Sequence, residues 1–246
     1  MTQARIEQAA LNNALWCDAV CRAHGATPAL TAHVWFNREK SPPFYPNVDT
    51  LTKEGVQEQI EVIETLLAAK LPGDWGVKDS FCTLNLAPLG FFQAFEAFWF
   101  WRASDQGRLP ASSLPQGVAW QRVETPEQLA HWETAWSGQP EINEADRIFL
   151  PSLLGHETVV FLAAYRDGNL VAGGVASRTG EVVGLSNVFT PAGEGRPFWA
   201  GFVDAVRAMF PGMPLVGYEG GDDLDIAKSL GFEVLGPLRV WIRSQD

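Results

Sequence analysis

Cysteine is scarce in this chain: Cys17, Cys21 and Cys82 are the whole set in 246 residues. An odd and sparse set offers no disulfide framework, so reduced thiols are expected. Long apolar runs are missing too. No stretch approaches the roughly 18 to 20 uncharged apolar residues of a membrane-spanning helix, and the opening MTQARIEQAALNN lacks the apolar centre of a signal peptide. No membrane partner is therefore expected, and the cytoplasm is the expected location. Positive charge is also short, with 18 Lys and Arg against 29 Asp and Glu, a net charge of -11, and no Lys/Arg run. Such a surface repels a polyphosphate backbone, which argues against nucleic acid as a partner and suits a cationic or amine-bearing one.

Other chemistries are also thinly represented. Cys17, Cys21 and His24 share one face of a helix at spacings of four and three, but no fourth ligand lies nearby, so no metal is expected. Ser177 and Ser186 sit in no nucleophile elbow. The aromatic run at 95–101 reads as a strand packed on both faces or as an aromatic binding wall.

What is present, at 46% hydrophobic, is enough for one large domain or two small ones. The second half has the clearer order. A strand at 118–123 leads into a helix, where Thr125, Pro126 and Gln128 form a capping box and Leu129, Trp132 and Trp136 share a face. Two apolar runs, 159–165 and 170–177, flank Asp167-Gly168-Asn169, a hairpin signal, and a third strand follows at 181–190. The loop Ala192-Gly193-Glu194-Gly195-Arg196 opens a helix with Phe198, Phe202, Val206 and Met209 on its apolar face, stopped by Pro211-Gly212. A strand at 215–218, a break at Gly220-Gly221, a short helix ending at Leu230-Gly231 and two closing strands around Gly236-Pro237 complete it.

The first half repeats these landmarks. Asn47-Val48-Asp49-Thr50 precedes Asn187-Val188-Phe189-Thr190 by 140 residues, and Leu89-Gly90-Phe91 precedes Leu230-Gly231-Phe232 by 141. One shared offset with matched elements between favours a duplication. The linker-like segment DQGRLPASSLP divides the copies, giving domains at 1–105 and 116–246.

The meander, the loop after Pro191, the helix and the closing Ala227-Lys228-Ser229-Leu230-Gly231-Phe232 resemble the GNAT acetyltransferases over residues 118–243. The resemblance implies a mixed α/β fold of the α+β class: a central, mostly antiparallel, splayed sheet flanked by helices, here duplicated with a degenerate first copy. It implies N-acyl transfer from acetyl-CoA, or another acyl-CoA, to an amine of a small molecule or peptide. The cofactor would lie along Val188, Phe189 and Thr190, with its pyrophosphate on Gly193, Gly195 and Arg196 at a helix N-terminus. The family's glycine pattern, counted from Pro191, lands on Glu194, Pro197 and Trp199, where the indole is expected to block backbone approach. The family tyrosine position holds Ala227, which leaves Tyr218 and Glu219 as the expected acid and base. A non-catalytic binding or sensing protein on the same fold is the alternative.

Overall fold

The computed structural model describes residues 2–107, 109–110 and 114–244. The chain runs through α1 (Thr2–Ala23), β1 (Ala29–Leu30), β2 (Val34–Phe36), β3 (Val48–Thr50), α2 (Val56–Ala68), β4 (Trp75–Asp79) and β5 (Phe92–Arg102). It continues through β6 (Val118–Arg122), α3 (Pro126–Ser137), β7 (Val159–Arg166), β8 (Asn169–Thr179), β9 (Val182–Phe189), α4 (Gly195–Met209), β10 (Leu215–Glu219), α5 (Gly221–Ser229) and β11 (Glu233–Arg243). Two compact units result. The first is Met1–Trp99 with Leu235–Asp246, the second Phe100–Val234.

In the second unit the sheet order is β10-β9-β8-β7-β6. All neighbours are antiparallel except β9 and β10, which α4 connects as a parallel pair. Helix α3 forms where the sequence places it, with the complete Thr125/Gln128 capping box, Pro126 in the first turn and Gly138 closing in the left-handed region at φ 66°. On one face of the sheet Trp132 packs edge-on against Phe149, Phe161 and Phe189. On the other, Trp199, Phe202, Val203 and Val206 of α4 meet Leu162, Val183, Leu185 and Leu215.

The first unit repeats the logic with shorter parts: order β1-β2-β3-β4-β11-β5, and α2 connecting the parallel pair β3 and β4. Its core joins Ile63 and Leu66 to Val48, Val77, Leu84, Leu86 and Trp241. The matched triplets adopt one geometry. Gly90 and Gly231 have φ of 83° and 87°, Gly90 N bonds Ala87 O, and Gly231 N bonds Lys228 O. Phe91 N and Phe232 N reach back to Leu86 O and Ala227 O. Only glycine adopts this cap without a Cβ penalty.

One expectation changes. The closing pair of strands is one continuous strand, β11, because its ladder to β4 begins at Arg239, beyond Pro237, whose missing N–H is not called on there. Leu235 onward clusters with the first unit, paired from Arg239↔Asp79 to Arg243↔Trp75. Among the described residues no helix is long and apolar enough to cross a membrane.

Candidate functional site

The candidate cleft of the second unit lies at the ends of β9 and β10. Their ladder consists of Leu215↔Val183 and Val216↔Gly184, while β9 continues to Phe189 and β10 to Glu219. β9 also carries a bulge against its other neighbour, β8. Between Gly173↔Phe189 and Val175↔Ser186, β8 advances two residues and β9 three, and Asn187 takes up the extra residue at φ 52°. Asparagine tolerates that region better than most side chains. The bulge resets the facing of the strand, so Val188 packs toward the α4 core and Phe189 goes under Trp132. Their side chains are thus committed to packing, and what β9 offers a ligand at Val188, Phe189 and Thr190 is backbone.

The loop that follows is a turn closed by Glu194 N donating to Pro191 O at 3.1 Å, with Gly193 at φ 77°. A Cβ on Gly195 would come within 2.7 Å of Ile226 Cδ1 on α5, the tip of a side chain that can shift to admit it. Arg196 is exposed, and its Nε donates to Ser229 Oγ at 3.1 Å. Glu194, at the N-cap of α4, is held by both guanidinium nitrogens of Arg166 at 2.9 and 2.8 Å, and that partner keeps its carboxyl below the usual range. This fork pairs residues that no local spacing connects, and sequence reasoning missed it.

Trp199 does not block the loop. Its indole is 1% exposed, packs edge-on against Phe100, and donates from Nε1 to Asp223 Oδ1 at 3.1 Å. The expectation that it obstructs backbone approach is corrected here, because its position on α4 turns the ring toward the sheet.

Tyr218 and Glu219 are separated rather than brought together. Successive residues of a strand point to opposite faces. Leu215 lies in the α4 core and a Cβ on Gly217 would meet Phe100 of that core, so Glu219 shares the α4–α5 side and Tyr218 the α3 side. Burial pushes the Glu219 carboxyl up to about 8, helped by the nearby negative charge of Asp223. Gly220 caps α5, with Asp222 and Asp223 in its first turn.

The corresponding strand ends of the first unit are tied shut. Ser80 N donates to Thr50 Oγ1 at 2.8 Å, and Ser80 Oγ to Asp49 Oδ1 at 3.3 Å. Lys78 is buried alongside, bonded to Asn13 of α1 and 3.9 Å from Asp49 Oδ2. Cys17 is buried in the same cluster, and burial raises its thiol. Polar side chains of the unit itself fill the place where the second unit leaves backbone open, so the first does not fit an acyl-CoA.

No protein-family model matches the sequence, and no curated protein sequence matches it. Solved structures do. A GCN5-related N-acetyltransferase from Kribbella flavida superposes with a TM-score of 0.62 at 16% identity, over 99% of this chain and 96% of that one. A tandem GNAT protein from the clavulanic acid biosynthesis pathway gives 0.57 at 14% identity, over 93% and 88%. A GNAT-family protein from Novosphingobium aromaticivorans gives 0.53 at 14%, over 89% and 92%. With the two parallel strand–helix–strand crossovers, these similarities show that the chain has a fold like that of these GNAT proteins over nearly its whole length.

Proposed function

We propose that the second unit is an N-acyltransferase domain, which takes an acyl-coenzyme A thioester along β9 and passes the acyl group to an amine of a small molecule or peptide. The observation that carries this reading is that β9 and β10 pair at two positions and both run on past them, ahead of a glycine-bearing loop and a helix N-terminus. Backbone groups beyond Val188 would hold the extended pantetheine, and amides at Gly193 and Gly195, with Arg196, the pyrophosphate. The bound thioester supplies the activated acyl carbon; the chain contributes alignment, exclusion of water and charge. Tyr218 faces the α3 side, where we place the acceptor amine. The net charge of -11 favours a cationic acceptor.

Calorimetric titration with acetyl-CoA tests the reading: saturable binding with one site per chain supports it, and no binding at millimolar cofactor overturns it. Arg196→Ala should weaken that binding roughly ten-fold to a hundred-fold, as expected for one charge-assisted contact, and leave thermal unfolding unchanged. A non-catalytic binding protein is the second reading, favoured by Pro197, which has no amide hydrogen to give in the first turn of α4. The same titration separates the two.

A further inference from the structure

A thiolate leaving an acyl carbon needs a proton, and the short helix before Leu230 offers no hydroxyl for it at Ala227, which is fully buried in the α4 core. The chain carries another proton-bearing group just ahead of that helix. Glu219 ends β10 on the α4–α5 side, at the tip of a strand that flanks the cleft. The turn at Gly220-Gly221, with Gly221 at φ 54°, then reverses the chain into α5, and Asp223 in the first turn comes beside Glu219. Asp223 is fixed in turn by the indole N–H of Trp199 at 3.1 Å, itself locked in the core. The charge that acts on Glu219 from α5 is that of Asp223. A partly buried carboxyl beside a fixed carboxylate is favoured in its neutral form, and a carboxylic acid kept neutral near pH 7 is a donor.

We propose that Glu219 is the catalytic proton donor to the departing sulfur, with Asp223 and Trp199 as its positioning residues; this rests on the acyltransferase reading above. Glu219 gives its carboxyl proton to sulfur as the carbon–sulfur bond breaks with its electron pair. The amine nitrogen, now bonded to the acyl carbon, sheds its extra proton to solvent, and solvent restores the proton on Glu219. This divides Tyr218 and Glu219 between the two faces of the sheet, with the acid on the thiol side and the tyrosine on the amine side.

The test uses the full chain with carbon-13-labelled glutamate, the Glu219 carboxyl signal being identified by its loss in Glu219→Gln. Its titration midpoint is followed by NMR with and without coenzyme A, and acetyl-CoA affinity is measured alongside. The expected results are a midpoint well above the other glutamates, a further change when coenzyme A brings its thiol close, and a fall of about one pH unit or more in Asp223→Asn. Trp199→Phe, which keeps the ring but removes the donor, should move the midpoint in the same direction as its hold on Asp223 is lost. Absence of acetyl-CoA binding would sink the acyltransferase reading. Normal binding with a Glu219 midpoint indifferent to both coenzyme A and Asp223→Asn would sink this proposal alone. A third readout is transfer from thioesters of differing thiol acidity: Glu219→Gln should lose about a hundred-fold or more with coenzyme A as leaving group and far less with an acidic aryl thiol that leaves unprotonated. Equal losses with both would also overturn it.

Discussion

Single side chains decide which copy keeps an open cleft. Asp49 is fully buried, and Oδ2 has no hydrogen-bond partner, with Lys78 3.9 Å away. Burial outweighs Lys78 and Ser80 and pushes the carboxyl from 3.8 up to about 6. A folded-state value above the unfolded one means that the folded chain binds the proton more tightly. Its stabilising contribution is complete below pH 3.8 and is lost as pH rises through about 6. Denaturant unfolding between pH 4 and 8 should therefore show a decline in stability that is smaller in Asp49→Asn, the rest coming from other raised carboxyls such as Glu219; a parallel pH dependence in both proteins would refute this. Gly217 is a second such position, where a Cβ would come 2.9 Å from Leu185 O and 2.7 Å from Phe100. Gly217→Ala should cost about 1 to 3 kcal/mol, because a backbone carbonyl gives way less readily than a side-chain tip.

At the scale of elements, the N-terminus of α4 collects the charges that any anionic ligand must meet. Glu194 stands at its cap under the Arg166 fork, and Arg166 also lies 5.0 Å over the Phe198 ring. Arg166→Ala frees a carboxylate at the place proposed for the pyrophosphate. Acetyl-CoA affinity should fall about ten-fold while the melting temperature barely moves, and Glu194→Gln in the same background should restore most of the affinity. Trp199 acts differently, since it belongs to the core under α4. Trp199→Gly should destabilise the fold by at least about 3 kcal/mol without improving cofactor binding. Thermal unfolding of the variant checks this.

At the scale of the whole molecule, the last strand serves the first unit. Leu235 onward clusters there, and β11 is hydrogen-bonded to β4 through five paired positions. A chain ending at residue 232 should lose hydrogen-exchange protection first in α2, β3 and β4, with β7, β8 and β9 retaining theirs. Preferential loss in the second unit would contradict the assignment. Much of the architecture was legible from local sequence. The capping box of α3, the hairpin at Asp167-Gly168-Asn169, the stop at Pro211-Gly212 and the two Leu-Gly-Phe caps are set by φ restrictions and amide satisfaction within a few residues. The same kind of evidence read most of the order of elements, though not that the chain closes on the single strand β11. Tertiary structure alone decided the rest, because it depends on partners far apart in the chain: which sheet position β11 fills, how the Asn187 bulge resets the facing of β9, and that Trp199 reaches Asp223. The split of Tyr218 from Glu219 belongs in between. Alternation along β10 is written in the sequence, but the face on which each side chain lands was fixed only when Leu215 and Gly217 met the core beneath α4.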